Sequence, residues 1–145
     1  MKTNNGIFTL LYNTEFSKEW ADFFDWIFVE DKFLGWDKEK KECFTKRIKS
    51  IDCFKKEKYY TKTDKIPKRA NGFIICISVK GSQAESLVKH IRNGFAHGNV
   101  RRRYINNSFF IELRDYYQKK PTAYILVPER FLVQIKKEYD SLCKG

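Results

Sequence analysis

The sequence predicts one mainly α-helical domain, residues 1–145, built as a helical bundle with one β-hairpin after its third helix. Apolar residues recur at spacings of three and four in four segments, which is the periodicity of amphipathic helices. Glycine and proline number only 7 and 3, which favours long regular elements. A chain of 145 residues that is 42% hydrophobic is long enough to bury one core without disulfides or metals.

The first half of the chain predicts two long helices. Ile7–Tyr12 is a short apolar run that fits either a strand or a docking arm. From Glu15 to about Leu34 an aromatic stripe at helical spacing predicts a helix whose aromatic side chains form core, with Gly35 ending it. Asp37 is a good N-cap for a second helix of about twenty residues. The polar face of that helix is rich in lysine.

The middle of the chain is ambiguous. Pro67 and Asn71-Gly72 predict a loop over Tyr59–Gly72. Phe73–Val79 is almost wholly apolar and β-branched, so it fits either a buried strand or the start of the next helix, and we favour the helix. Ser82 and Glu85 then form a capping-box pattern, which predicts a third helix over Gln83–His97.

The second half predicts a hairpin and a last helix. Gly98 fits the left-handed position that ends the third helix. Val100–Asp115 reads as two strands around Asn106-Asn107, whose residues tolerate the positive φ of a tight turn. Tyr116–Thr122 is polar, and Tyr124–Val127 leads into Pro128 as the first residue of a final amphipathic helix.

The charge balance predicts a polyanionic partner. Lys and Arg total 29 against 18 acidic residues, a net charge of +11, and basic side chains bind phosphate with release of counterions. The alternative is a solvated basic surface. The four cysteines form no CxxC pair, so free thiols in a reducing cytoplasm are expected. Neither a signal peptide nor a run of about 20 apolar residues stands out, so no membrane association is expected.

The third helix carries the side chains that are best suited to catalysis or phosphate binding. At about 100° per residue, Leu87, Val88, Ile91 and Phe95 share one face and predict its core stripe. His90, Asn93 and His97 fall on the opposite side, with Arg92 flanking them. Gly94 lies in the helix interior, where glycine is costly, so the sequence predicts close packing of a second helix there.

Arginine and histidine together suit RNA cleavage. Histidine exchanges protons near neutral pH, arginine matches phosphate oxygens, and RNA supplies its own 2′-hydroxyl nucleophile. His90 is about 10 Å from His97 along a helix and cannot complete the site with it. A two-fold dimer would supply a second Arg92 and a second His97. Alternatively, His97 merely interacts with the dipole of the helix end.

The segment from His90 to Asn99 resembles the signature of HEPN-domain proteins, with Arg92, Asn93 and His97 matching the Arg–polar–His pattern. Ala96, Gly98 and Asn99 resemble the form found in bacterial, plasmid and phage members. The resemblance implies a HEPN-like bundle that dimerises through the motif helices. It also implies an endoribonuclease with no metal or cofactor, with Arg92 and His97 as catalytic residues and Asn93 positioning them.

Members of that family often act as toxins with a cognate antitoxin or in phage defence. Other members only bind RNA or nucleotides, and a pure dimerisation module is a third alternative. Candidate RNA-backbone contacts are four basic residues close to the motif: Lys89, Arg101, Arg102 and Arg103. Strand alternation predicts that Arg102 points away from the face that Arg101 and Arg103 share.

Overall fold

The computed structural model describes residues 17–51, 59–61, 72–77, 79 and 81–144. These residues form four helices and five strands. In chain order they are α1 (Ser17–Ile27), α2 (Lys38–Lys49), β1 (Tyr59–Thr61), β2 (Phe73–Cys76), α3 (Gln83–Ala96), β3 (Val100–Ile105), β4 (Ser108–Tyr117), β5 (Lys120–Pro128) and α4 (Glu129–Lys144). The fold is therefore α+β, and the expectation of a mainly α-helical bundle with a single hairpin is wrong.

The strands form one sheet in the order β1-β2-β5-β4-β3. β1 and β2 are parallel, and the other neighbouring pairs are antiparallel. The predicted hairpin is confirmed, since β3 and β4 meet at Asn106 and Asn107 with φ of 50° and 64°. A second hairpin joins β4 to β5 through Gln118 and Lys119, which also have positive φ. The polar stretch Tyr116–Thr122 thus consists of the end of β4, the tight turn Gln118-Lys119 and the start of β5.

The preference for a helix at Phe73–Val79 is wrong, because Phe73–Cys76 is strand β2. All four residues of β2 are buried, as expected where both faces of a sheet are covered and no alternation of apolar and polar residues appears. Ile74 and Cys76 belong to the main core. Phe73 and Ile75 belong to a second apolar cluster on the opposite face of the sheet. Tyr59–Thr61, expected within a loop, pairs with β2 as strand β1.

Helix α1 ends at Ile27, earlier than the expected end near Leu34. The Lys32 ammonium donates hydrogen bonds to the Ile27 carbonyl (3.1 Å) and the Val29 carbonyl (2.7 Å). Its bond to Ile27 satisfies one of the carbonyls that a helix end leaves without partners. Gly35 does not cap this helix but adopts a positive φ of 82° in the connection to α2.

Helix α2 begins as predicted, with the Asp37 side chain accepting a hydrogen bond from the Lys40 amide at 2.8 Å. It is shorter than expected, spanning 12 residues to Lys49. Residues 52–58, which the expected helix included, lie outside the described residues, as do Ile7–Tyr12 and most of the predicted loop at 62–71.

The main core lies between the helices and one face of the sheet. Trp20 and Phe23 of α1 are fully buried, as predicted for its aromatic stripe, whereas Phe28 and Leu34, expected on the same face, are 41% and 83% exposed. Phe95 of α3 packs edge-on against Phe23 at 6.0 Å and Phe24 at 5.0 Å between ring centroids. Among the described residues, no helix is long and apolar enough to cross a bilayer.

Helix α3 lies very close to β4 at Gly94. A Cβ atom at this position would lie 2.8 Å from Leu113 Cδ2 and 3.4 Å from the Arg114 carbonyl oxygen. Close packing was expected at Gly94, and it occurs against a strand where a second helix was predicted.

Gly94→Ala is expected to lower the free energy of unfolding by about 1 kcal/mol. Overpacking a buried site costs about 1–3 kcal/mol, and the gain in helix propensity, at most about 1 kcal/mol, offsets only part of it. Urea denaturation measures the change, with Lys89→Ala on the exposed side of the same helix as the control. A stabilised Gly94→Ala protein would contradict the tight contact with Leu113.

Candidate functional site

Both ends of α3 are fixed by local hydrogen bonds. At the N-terminus, the Glu85 amide donates to the Ser82 hydroxyl and the Ser82 amide to the Glu85 carboxylate, each at 3.2 Å. The predicted capping box is therefore confirmed. At the C-terminus, Gly98 takes the predicted left-handed conformation (φ 78°), and the Asn99 amide donates to the Gly94 carbonyl at 2.9 Å.

This C-terminal arrangement is a Schellman motif, in which an amide beyond the helix satisfies a carbonyl of its last turn. The helical residues end at Ala96, with His97 as the C-cap residue. His97 is exposed, and its backbone amide donates to the Asn93 carbonyl at 2.9 Å. The motif histidine thus lies at a defined point, one turn after Asn93.

The buried side of α3 is wider than the four-residue stripe predicted. It runs from Ser86 through His90 and Gly94 to Val88, an arc of about 200° at 100° per residue. His90 is only 7% exposed, so its expected place on the polar face is wrong. The physical reason is that α3 contacts other helices on one side and β4 of the sheet on another.

His90, Asn93 and Arg92 join Asp115 of β4 in a chain of hydrogen bonds, which we call the α3–β4 network. His90 Nδ1 lies 2.7 Å from Asp115 Oδ2, and Asn93 Nδ2 donates to the same oxygen at 3.1 Å. Arg92 Nη1 in turn donates to Asn93 Oδ1 at 3.0 Å. Two of the predicted site residues, Arg92 and Asn93, are therefore in direct contact.

Asp115 is a buried carboxylate held in its charged form. Burial has the largest single effect and would raise its pKa. Hydrogen bonds from His90 and then Asn93, with the Tyr116 amide, together leave the pKa of Asp115 below its ordinary value. The Tyr116 amide donates to Asp115 Oδ1 at 2.9 Å. Because an ionised carboxylate only accepts, the proton between Asp115 and His90 resides on His90 Nδ1.

The lowered pKa links this network to pH. A carboxyl group whose folded pKa lies below its unfolded value stabilises the fold above the unfolded pKa. The stabilisation is lost as the pH falls through the folded pKa of Asp115, which lies below the ordinary value of 3.8. Asp115 is therefore ionised throughout the neutral range.

A groove adjoins Arg92 on the side away from the sheet. It has a volume of about 650 Å³ and lies between α3 and the α1–α2 connection. Its lining includes four basic side chains and three acidic ones: Lys32, Lys41, Lys89 and Arg92 against Glu30, Asp31 and Glu85. Lys41 forms an ion pair with Glu85 at 3.3 Å. Burial, and then the positive charge of Arg92, lower the pKa of Lys32. The groove thus has a small excess of positive charge and reaches the motif arginine.

The three consecutive arginines of β3 divide between the two faces of the sheet, as the strand alternation predicted. Arg102 faces the helices, where its Nε lies 2.7 Å from Glu129 Oε2 and its guanidinium lies 3.6 Å from the Phe109 ring centroid. Arg101 and Arg103 are exposed on the other face. Arg103 forms an ion pair with Glu112 at 2.9 Å.

Sequence reasoning missed the part of His90 and Asp115 in the site. One signal pointed to Asp115. Ile111, Leu113 and Asp115 alternate along β4, so an acidic residue falls on the face that the two apolar residues bury. A buried carboxylate needs donors, and α3 supplies two of them.

Helix α3 thus carries Arg92 and Asn93 in direct contact, ends at the exposed His97 and packs on a small sheet. The chain matches the family described as HEPN pEK499 p136 over residues 16–144. This match covers most of the chain, so the protein belongs to that HEPN family, as the resemblance of residues 90–99 implied. No curated protein matches the chain, and no solved structure matches it.

Proposed function

We propose that the protein is a metal-independent endoribonuclease whose catalytic residues are Arg92, Asn93 and His97. The observation that carries the proposal is the direct bond from Arg92 to Asn93 one turn before an exposed His97. A phosphate-binding guanidinium and a proton-transfer group thereby lie at the same helix end. The HEPN family match supports this assignment.

In the proposed reaction His97 removes the proton of a ribose 2′-hydroxyl. The 2′-oxygen attacks the adjacent phosphorus, and the bond from phosphorus to the 5′-oxygen breaks. The leaving 5′-oxygen takes a proton from an acid, which leaves a 2′,3′-cyclic phosphate and a 5′-hydroxyl end. Arg92 stabilises the extra negative charge that develops on the phosphoryl oxygens.

A homodimer would complete this site. One His97 fills one proton-transfer role at a time, and His90 is buried in the α3–β4 network. A second copy of α3 across a two-fold axis supplies the missing histidine. Lys89, which lines the groove, and the exposed Arg101 and Arg103 are the proposed RNA-backbone contacts.

His97→Ala is expected to slow RNA cleavage at least about a hundredfold, since a positioned acid–base group contributes about 10²–10⁴ in rate. The assay uses excess EDTA and mixed single-stranded and structured RNA, and identifies the 2′,3′-cyclic phosphate ends. DNA of the same sequence is the matched control, because without a 2′-hydroxyl it must stay intact. Equal cleavage by wild type and His97→Ala would contradict the assignment of His97 as a catalytic residue.

The biological form of the proposal is a toxin or phage-defence effector, controlled by a cognate antitoxin. Expression of the wild type then arrests growth, and expression of His97→Ala at the same level does not. RNA binding that persists in His97→Ala, with no cleavage by wild type, identifies a non-catalytic RNA-binding module in its place.

A further inference from the structure

We propose that Asp115 is a positioning residue that orients Arg92 through the side-chain amide of Asn93. The proposal rests on the proposed ribonuclease function, and it extends the site from the motif helix to the sheet. Asp115 lies 22 residues from Asn93 in sequence, and the two meet only because α3 packs on β4.

The geometry of the amide is what gives Asp115 this role. An ionised carboxylate only accepts hydrogen bonds and a guanidinium only donates them. Asn93 stands between the two, so its NH₂ end must face Asp115 and its oxygen must face Arg92. Turning the amide over would place its donors against the donors of Arg92. The charge on Asp115 therefore selects the orientation of Asn93 that accepts from Arg92.

Asp115 is itself immobilised from three directions. His90 Nδ1 and the Asn93 amide bind one carboxylate oxygen, and the Tyr116 backbone amide binds the other. The pairing of β4 with β5 shifts register between Asp115 and Tyr116, and such irregularities re-aim side chains. The side chain of Asn93 is thus held by the sheet, through Asp115, as well as by its own helix.

The burial of Asp115 indicates that it positions other residues and does not itself contact RNA. Asp115 and His90 are 6% and 7% exposed, so neither offers a surface that an RNA phosphate can contact. Arg92 is only partly buried and lines the groove. Its bond to Asn93 uses one of the five N–H donors of a guanidinium. Nearby Lys32 is also positive and repels Arg92, so the bond to Asn93 helps to hold the guanidinium in place.

Asp115→Asn is expected to reduce kcat for RNA cleavage by about a hundredfold, the order of loss when a catalytic group is misplaced by about 1 Å. KM should change much less, because the groove and the arginines of β3 are untouched. The variant is nearly isosteric but loses the charge that sets the orientation of Asn93. Thermal melting and the dimer fraction are measured on the same samples to verify the fold.

Glu129→Gln is the matched control. Glu129 is also buried and also accepts side-chain hydrogen bonds, in this case from Arg102. It has no part in the α3–β4 network. Glu129→Gln is expected to lower the melting temperature and to leave kcat unchanged. If the two variants lose the same fraction of kcat, Asp115 acts only on stability and the proposal fails.

A double-mutant cycle tests the route through Arg92. If Asp115 acts by orienting Arg92, then Asp115→Asn has no further effect on kcat in an Arg92→Ala background, because linked residues are non-additive. Full additivity of the two losses overturns the proposal.

An NMR measurement tests the contact between Asp115 and Asn93 independently of RNA cleavage. The side-chain NH₂ signal of Asn93, assigned with Asn93→Ala, is expected to be displaced from the free-amide position in wild type and to return towards it in Asp115→Asn. An unchanged Asn93 signal overturns the positioning role. Failure of wild type to cleave any RNA overturns the proposed function alone, and the NMR result still tests the contact.

Discussion

Replacing Arg92 by alanine is expected to reduce kcat for RNA cleavage by about a thousandfold. A fixed donor aimed at charge that develops in the transition state is worth about 10²–10³ in rate when removed. Arg92 is fixed in this sense, because Asn93 Oδ1 accepts from its Nη1 at 3.0 Å and Asn93 is itself bound to Asp115. The change should appear in kcat more than in KM, and single-turnover cleavage at saturating RNA measures it.

Arg92→Lys separates charge from geometry at the same position. Lysine keeps the positive charge but lacks the planar set of donors that binds an acceptor and a phosphate together. We expect Arg92→Lys to recover only a small part of the lost kcat. Full activity in Arg92→Lys would mean that a point charge is sufficient and that the bond to Asn93 contributes nothing to the reaction.

Arg102→Ala is expected to lower the free energy of unfolding by about 3–5 kcal/mol, the usual cost of removing one partner of a buried ion pair. Glu129, which is 5% exposed, would be left buried without the guanidinium that neutralises it. The contact of Arg102 with the Phe109 ring would also be lost. Chemical denaturation measures the loss.

The neighbouring Arg101→Ala provides the contrast. Arg101 is exposed on the opposite face of β3, so its removal should change stability by no more than about 0.5 kcal/mol. If it binds the RNA backbone, its removal lowers the slope of affinity against salt by about one. Stability losses of equal size in the two variants would contradict the separation of these side chains by the sheet.

The elements that the sequence predicted correctly are those with local signals. Ser82 and Glu85 identify the start of α3, Gly98 its end, and Asn106-Asn107 the first hairpin, because each acts through hydrogen bonds or backbone angles within a few residues. The second hairpin was missed because Gln118-Lys119 adopts the same positive φ values without the residue types that usually favour them.

The sheet itself could not be deduced in this way. Strand β2 is apolar on both faces, so its sequence has no period that distinguishes it from a helix. Its partners are β1 and the distant β5, and such pairings depend on tertiary packing. The wrong fold class follows from this one ambiguity, together with the hidden second hairpin.

Only those residues of the candidate site that are close together in the sequence could be predicted. Arg92, Asn93 and His97 lie within six consecutive residues at one helix end, so their spacing in the sequence was enough to predict them as site residues. Asp115 and the burial of His90 depend on the approach of α3 to β4 at Gly94. The helical wheel predicted a buried stripe about 100° wide, whereas the buried residues of α3 cover an arc of about 200°.

The order of the strands has a consequence for local unfolding. α3, β3, β4 and β5 follow one another directly in the chain, whereas β1 and β2 join the sheet at its far edge, beside β5. Regions of a protein open separately in cooperative units, and units made of contiguous segments close fastest. The edge strand β1 can therefore open without taking apart the bonds among Arg92, Asn93, His90 and Asp115, which all lie within 26 consecutive residues, His90 to Asp115.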